Sequence, residues 1–185
     1  MGPQYDKHRN KHKIDKELQM FVELLPKGGK ILDAGSGSGE PASKFLADAG
    51  FDVIGIDLSE TMLKMAQKNV SNAKFLKMDI ASPDFEEESF DGILSLFALF
   101  HIPRKEHKSV FDNFYRLLKS GGTLMINTGV SGHEGFSNFF GSRMFWSNWA
   151  PEKTLSLVKE VGFSIIFEGV LSRGGEIQYW IFARK

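Results

Sequence analysis

In the segment Ile31-Leu32-Asp33-Ala34-Gly35-Ser36-Gly37-Ser38-Gly39-Glu40-Pro41, an apolar strand end runs into a glycine-rich turn that opens a helix. Glycine at alternate positions lets the backbone adopt positive φ and lets a ligand approach the main chain. The helix N-terminus that follows offers unpaired N–H groups. The segment therefore predicts a nucleotide-type cofactor bound at the end of a strand.

The acidic residues around this turn narrow the choice of cofactor. The dinucleotide fingerprint G-x-G-x-x-G, counted from Gly35, requires glycine at position 40, where the chain has Glu40. Asp33 and Glu40 would both repel a pyrophosphate at the helix N-terminus. S-adenosyl-L-methionine removes that conflict, because it carries an ammonium group and a sulfonium and no phosphate. The turn therefore predicts S-adenosyl-L-methionine and disfavours a nicotinamide oxidoreductase.

A further carboxylate follows at the spacing of a ribose contact. The run Val53-Ile54-Gly55-Ile56-Asp57 has the pattern of the next strand, and Asp57 lies 22 positions after Gly35. An acid at about this spacing binds ribose hydroxyls in nucleotide-binding α/β folds. An ionised carboxylate makes such hydrogen bonds charge-assisted. Asp57 is therefore predicted to bind the cofactor ribose.

Five motifs in order resemble those of the class I S-adenosylmethionine-dependent methyltransferases, especially the small-molecule branch related to quinone-biosynthesis methyltransferases. The resemblance covers most of the chain. It implies a Rossmann-like α/β fold with a seven-stranded, mostly parallel sheet, an antiparallel C-terminal hairpin and helices on both faces. The motifs are Asp33-Ala34-Gly35-Ser36-Gly37-Ser38-Gly39, Gly55-Ile56-Asp57-Leu58-Ser59-Glu60-Thr61-Met62-Leu63, Phe75-Leu76-Lys77-Met78-Asp79-Ile80, Ser89-Phe90-Asp91-Gly92-Ile93 and Leu117-Leu118-Lys119-Ser120-Gly121-Gly122.

The resemblance also implies which residues bind the cofactor. It places the turn at 35–37 against the methionine part and Asp57 on the ribose, with Leu58 and Met62 along the adenine. Asp79 would accept the adenine amino group, beside the amide of the following residue; the alternative for Asp79 is a loop acid without a ligand. The full set of predicted cofactor contacts is Asp33, Gly35, Ser36, Gly37, Asp57, Leu58, Met62, Asp79, Ile80 and Leu96.

Alternating strand and helix patterns support the same architecture. Alternation at this pace indicates a parallel sheet with right-handed crossovers. Only residues 171–175 separate the last two predicted strands, so these form an antiparallel hairpin. We expect one domain over residues 1–185. The predicted helices span 14–25, 41–49, 60–69, 105–119 and 151–161, and the predicted strands span 30–33, 52–56, 74–78, 91–96, 123–128, 163–170 and 176–183.

One histidine follows the fourth predicted strand and is the candidate catalytic residue. His101 lies where strand ends face the ligand crevice, and its ordinary pKa suits a general base. The alternative is a histidine that hydrogen bonds fix as local structure. His133 and Glu134 are further candidates on the next loop. Methyl transfer needs little beyond alignment, so a dedicated base is optional.

The segment 129–150 is rich in aromatic residues but sustains no helical or alternating pattern. It is predicted to be a substrate lid without regular structure, because aromatic side chains can shield a reaction from water. The alternative is a hydrophobic cluster that covers the sheet edge. Tyr5 is expected over the same opening. The aromatic residues of the segment are Phe136, Phe139, Phe140, Phe145, Trp146 and Trp149.

Composition limits the partners of the chain. Lys plus Arg and Asp plus Glu both number 23, so no net field favours nucleic acid. The basic run at 7–13 is interpreted as the solvated start of a helix. The absence of cysteine fits a reducing compartment, and no apolar run is long enough for a membrane span. We expect a cytoplasmic protein without nucleic-acid partner, membrane span or metal, and its oligomeric state stays open.

Missing motifs narrow the methyl acceptor. Methylation of cytosine C5 and of arsenite needs cysteines, which the chain lacks. Amino-directed nucleic-acid enzymes carry Asn/Asp-Pro-Pro-aromatic after the fourth strand, whereas this chain has Phe97-Ala98-Leu99-Phe100. The prediction is a small-molecule acceptor, apolar or aromatic, methylated at oxygen, nitrogen or carbon by in-line displacement. The alternative is a non-catalytic sensor or partner protein that binds S-adenosyl-L-methionine.

Overall fold

A seven-stranded sheet with helices on both faces dominates the computed structural model, which describes residues 14–139, 141–173 and 175–185. A separate two-stranded hairpin accompanies it. The helices are α1 Asp15–Glu23, α2 Ala42–Asp48, α3 Glu60–Asn69, α4 His107–Leu117 and α5 Pro151–Val161. The strands are β1 Lys30–Ala34, β2 Asp52–Asp57, β3 Lys74–Lys77, β4 Phe90–Ser95, β5 Leu118–Thr128, β6 His133–Phe139, β7 Ser142–Asn148, β8 Ser164–Arg173 and β9 Glu176–Arg184.

The strand order of the large sheet is β3-β2-β1-β4-β5-β9-β8. The first five of these strands pair in parallel, and β9 is antiparallel to both of its neighbours. From β1 to β3 each strand is added on one side of β1, and the chain then crosses back to place β4 on the other side. Open α/β sheets bind ligands beyond the strand ends at such a switch point. The predicted Rossmann-like fold and the antiparallel C-terminal hairpin are confirmed.

The core lies in two layers, one on each face of the sheet. Helices α4 and α5 pack on one face, where Phe111 and Phe114 are fully buried. Helices α1 and α2 pack on the other, where the apolar side of α1, including Leu18 and Phe21, meets a cluster that contains Trp180. Burial of these large side chains removes apolar surface from water and holds the sheet between its helices. No described helix is long and apolar enough to cross a membrane.

The fifth strand starts earlier than predicted, because the C-terminus pairs with the glycines that precede it. Helix α4 ends at Leu117, and the strand already begins at Leu118. The N–H of Gly121 donates to the carbonyl oxygen of Lys185 at 3.1 Å, and the N–H of Lys185 donates to Gly122 at 3.0 Å. The glycine pair therefore lies inside the strand and not in the turn before it.

The segment 129–150 contains a β-hairpin, so the prediction of no regular structure there is wrong. In this hairpin Phe136 of β6 lies opposite Phe145 of β7, and Gly135 lies opposite Trp146. The alternation is hidden in the sequence because the adjacent aromatic residues of β7 occupy opposite faces. Three sequence features lie outside the described residues: Tyr5, the basic run at 7–13 and Phe140.

Candidate functional site

A cavity of about 480 Å³ opens beyond the ends of β1, β2 and β4. Sites for small molecules span roughly 300–1,000 Å³. The structure brings together eight of the predicted site residues around this cavity: Gly35, Gly37, Asp57, Leu58, Met62, Asp79, Ile80 and His101. The rest of the lining, which the sequence analysis did not assign, is Ser59, Thr61, Phe97, Ala98, Ile102 and Met144.

The glycine turn approaches the cavity with its bare backbone. Gly35 has φ +89°, a left-handed conformation that glycine adopts without strain. Its N–H donates to the carbonyl oxygen of Ile56 at 2.8 Å, which ties the turn to β2. A Cβ at this position would collide with the Cβ of Ala98 and lie 3.0 Å from Ile80 Cδ1. Only glycine therefore lets the turn pack against Ala98 and Ile80, which also line the cavity.

Asp57 organises two backbone segments at the end of β2. Its Oδ2 accepts a hydrogen bond from the Gly37 N–H at 3.0 Å, and its Oδ1 accepts one from the Ser59 N–H at 2.8 Å. Ser59 in turn caps α3, where its Oγ accepts from the Met62 N–H at 3.4 Å. A carboxylate has about four acceptor positions, so Asp57 keeps capacity for ligand hydroxyls.

Asp79 stands on the loop after β3. Its Oδ1 accepts from the Ala81 N–H at 2.9 Å, which fixes the carboxylate against its own loop. Asp57 and Asp79 are the acidic residues of the cavity lining, and their charge favours a cationic ligand. Leu58 also lines the cavity and is 60% exposed, an apolar surface suited to cover by a ligand ring. Within the described ranges, no group of His, Asp and Glu could hold a metal ion.

Three predicted cofactor contacts do not line the cavity. Asp33 is buried and its Oδ2 accepts from the Ser43 Oγ at 2.5 Å, which joins β1 to α2. The hydroxyl of Ser36 is buried without a hydrogen-bond partner among the described residues. Leu96 packs in the core beside α1 and α2. The structure gives Asp33 and Leu96 packing roles, and direct cofactor contact by these three residues stays a prediction.

His101 lines the cavity and is held by the hairpin. Its Nδ1 lies 3.1 Å from the carbonyl oxygen of Phe145. Since a carbonyl only accepts, Nδ1 carries the proton, and the neutral ring keeps its lone pair on Nε2. The rings of Phe100 and Trp146 pack 4.8 Å and 4.9 Å from the imidazole. His101 can therefore be both a histidine that hydrogen bonds hold in place and a general base, because a proton on Nδ1 leaves Nε2 to accept one.

A second histidine, which the sequence analysis did not single out, supports this turn. His107 is buried, and its Nε2 lies 3.1 Å from the carbonyl oxygens of both Leu99 and Ile102. Both partners accept, so Nε2 is the donor. Burial lowers the pKa of His107, which keeps the ring neutral. The sequence signal for His107 is its position as a polar residue on the apolar side of α4.

The hairpin reaches the cavity through Met144. Its base is fixed to the loop after His101, where the Trp149 Nε1–H donates to the Arg104 carbonyl oxygen at 2.8 Å. The guanidinium of Arg104 also lies 4.7 Å from the Trp149 ring, as a cation–π contact. The predicted alternatives to His101 are not in the cavity lining: His133 is exposed, and Glu134 accepts from a neighbouring serine on β7.

The end of β4 takes an unusual backbone conformation at the cavity. Phe97 has φ +55°, in the left-handed region that side chains rarely adopt. Its N–H donates to the Oδ1 of Asn127, a buried residue of β5, at 2.7 Å. Such strain persists only where the surroundings fix it, and it concentrates at functional sites.

Comparison with known proteins gives the family. A family model described as a methyltransferase domain matches residues 31–122, from β1 into β5. A solved S-adenosylmethionine-dependent methyltransferase of Methanosarcina mazei superposes with a TM-score of 0.79 at 24% identity, over 90% of this chain and 96% of that one. The chain belongs to the S-adenosylmethionine-dependent methyltransferases. The likeness of structure at this identity shows the fold.

Two sequence relatives extend this methyltransferase assignment. The Bacillus subtilis protein YqeM, a methyltransferase by name, is 28% identical over 87% of this chain and 70% of its own length. The demethylmenaquinone methyltransferase of Renibacterium salmoninarum is 31% identical over 54% of this chain and 40% of its own. This chain thus spans less than half the length of the second relative. The substrates that the names of the relatives imply are those of the relatives and are not assigned to this chain.

Proposed function

We propose that this methyltransferase moves the methyl group of S-adenosyl-L-methionine to a small apolar or aromatic molecule bound beneath the β6–β7 hairpin. One observation carries the proposal: the same cavity is lined by the glycine turn and Asp57 and by His101 and Met144. Cofactor and acceptor can therefore meet in one cavity.

The cofactor end of the cavity matches the charge and shape of its proposed ligand. Asp57 and Asp79 favour the positive charges of the cofactor, and carboxylate oxygens accept ribose hydroxyls and an adenine amino group. The bare backbone of Gly35 lines the cavity, so the methionine part can lie close to the main chain. Leu58 and Met62 offer apolar contact for adenine. When bound, S-adenosyl-L-methionine supplies a methyl group activated by a sulfonium.

The acceptor end positions the second reactant and receives its proton. Apolar side chains, Phe97, Ile102 and Met144, line the cavity together with His101. An acceptor hydroxyl or amine loses a proton when it is methylated, and His101 Nε2 is the atom proposed to take it. Orientation contributes roughly 7–11 kcal/mol to such displacements, so alignment carries most of the catalysis.

The setting of the enzyme follows from the sequence alone. We propose that the protein is cytoplasmic, because it lacks cysteine. We also propose that it acts on a free small molecule and not on nucleic acid, because its net charge is zero. The relative named for demethylmenaquinone supports a small-molecule acceptor.

Transfer of a labelled methyl group tests the proposal. The purified chain is incubated with methyl-labelled S-adenosyl-L-methionine and fractions of a metabolite extract, and labelled products are separated by hydrophobicity. We expect label in an apolar, low-molecular-weight product. Label confined to protein or nucleic acid would contradict the acceptor class, and saturable binding with no transfer would support the non-catalytic alternative.

A further inference from the structure

Strand β7 sets the state of His101 through its backbone. The carbonyl oxygen of Phe145 lies 3.1 Å from His101 Nδ1, and the ring of the next residue, Trp146, packs on the same imidazole. A neutral histidine without such an acceptor can carry its proton on either nitrogen. The Phe145 carbonyl on β7 therefore favours the form of His101 that carries its proton on Nδ1.

A buried hydroxyl fastens this strand to the segment that carries His101. Ser147 Oγ accepts from the Arg104 N–H at 2.7 Å and donates to Glu134 Oε2 at 2.6 Å. Ser147 is fully buried and stands directly opposite Glu134 in the hairpin. The hydroxyl thus links both hairpin strands to a loop that begins just after His101.

The carboxylate of Glu134 completes this network. Its Oε2 also lies 3.7 Å from the Nε of Arg104. The Ser147 hydroxyl, and then the positive charge of Arg104, lower the pKa of Glu134, so the group is a charged acceptor at neutral pH. A charged acceptor strengthens the hydrogen bond from Ser147 and so helps to hold β7 in position.

We propose that Glu134 is a positioning residue, which acts through Ser147 and β7 to keep the Phe145 carbonyl on His101 Nδ1. This inference rests on the proposed function, because it assigns how the proton acceptor of methyl transfer is held. Glu134 does not line the cavity. Its effect on His101 passes through one hydroxyl and one strand.

The test compares three variants with a matched control. Glu134→Ala removes the acceptor, Ser147→Ala removes the hydroxyl, and Glu134→Gln keeps an acceptor oxygen without the charge. The control is Glu160→Ala, which breaks a Ser–Glu hydrogen bond of the same 2.6 Å length on the exposed side of α5. The readout is ¹⁵N NMR of the imidazole nitrogens at about pH 8, where histidines are neutral. The His101 signals are assigned with a His101→Gln variant.

We expect His101 to be protonated at Nδ1 in the wild type, in Glu134→Gln and in Glu160→Ala. In Glu134→Ala and Ser147→Ala the Nε2–H form should appear, and turnover should fall roughly tenfold, about 1.4 kcal/mol, while the KM for S-adenosyl-L-methionine stays within about twofold. A wild-type His101 protonated at Nε2, or retention of the pure Nδ1–H form in both of these variants, overturns the proposal. The NMR readout needs no acceptor, so absence of methyl transfer alone counts against the proposed function and not against this inference.

Discussion

The two halves of the cavity are built from contacts of very different range. In the cofactor half, Asp57 bonds the amides of Ser59 and Gly37, two and 20 residues away, and Asp79 bonds the amide of Ala81, two residues away. In the hairpin half, the contact between His101 and Phe145 spans 44 residues. The cofactor half is thus defined by short motifs, and the hairpin half by how a separate strand pair docks.

This difference separates cofactor binding, in the first half of the cavity, from catalysis, in the second. The glycine turn is fixed to the sheet through β2, so it is set as soon as the parallel strands form. The hairpin belongs to a separate sheet and is held at its base by side-chain hydrogen bonds. Changes in the first half should alter cofactor affinity, and changes in the second should leave it nearly unchanged.

The largest effect on cofactor affinity is expected at Gly35. Gly35→Ala brings a Cβ into Ala98 at a positive φ, whereas Gly50→Ala, at φ +88°, has nothing within 4 Å of the added Cβ. Both variants carry about 1–2 kcal/mol of backbone strain, and Gly35→Ala adds about 1–3 kcal/mol of overpacking. We expect a loss of affinity for S-adenosylhomocysteine of roughly a hundredfold or more, about 2.7 kcal/mol, in Gly35→Ala alone. Equal urea midpoints and equal affinities of the two variants in calorimetry would contradict the close packing of the turn against Ala98.

The next largest effect is expected at Asp57. Asp57→Ala should weaken cofactor binding at least tenfold, about 1.4 kcal/mol, because it removes the ribose acceptor and loosens the amides of Gly37 and Ser59. Asp57→Asn keeps one acceptor oxygen, so its cofactor affinity should lie between those of the wild type and Asp57→Ala. The control is Asp52→Ala, an exposed acid at the other end of β2. Isothermal titration gives the three affinities, and an Asp57→Ala value equal to that of the control would remove Asp57 from the site.

A smaller, pH-dependent effect is expected from His107. Its pKa is lowered in the folded chain by burial, so protonation favours the unfolded chain. The contribution of His107 to stability is therefore fully present above its unfolded pKa, about 6.5, and is lost as the pH falls through the lowered folded value. We expect the urea midpoint to fall between about pH 7.5 and 5.5, and to fall less in His107→Gln. Parallel pH profiles for the two proteins would show that folding does not lower the pKa of His107.

The smallest effect on cofactor affinity is expected at His101. His101→Gln should bind S-adenosyl-L-methionine within about twofold of the wild type, since the imidazole stands at the acceptor end. Turnover with an oxygen or nitrogen acceptor should fall roughly 100-fold or more. A carbon acceptor, or an unchanged kcat, would point to alignment without a base. His133→Gln, at an exposed position outside the cavity lining, serves as the histidine control for the same assay.

The fold and the cofactor half could largely be predicted from the sequence. The strand end at Asp33, the turn from Gly35 and the acid at Asp57 are local signals, and the structure places Gly35 and Asp57 at one cavity. The exceptions are geometric. Asp33 sits in the same motif, but its side chain points into the β1–α2 contact with Ser43, and a motif does not show to which side each residue turns.

The hairpin half could not be predicted in the same way. Aromatic residues on both faces of β7 hide the alternation that marks a strand. The contacts of Phe145, Ser147 and Met144 depend on where the hairpin docks, and no pattern along one chain encodes that. Glu134 illustrates the limit: the sequence suggested a candidate base, whereas the structure makes it the acceptor of Ser147.

Calorimetric titration with S-adenosylhomocysteine of the wild type, Asp57→Ala and Glu134→Ala tests the division of the cavity most directly. The account predicts micromolar affinity for the wild type, on the order of 8 kcal/mol, a loss of about tenfold or more for Asp57→Ala, and an affinity within about twofold of the wild type for Glu134→Ala. No binding by the wild type, or equal losses in the two variants, would contradict it.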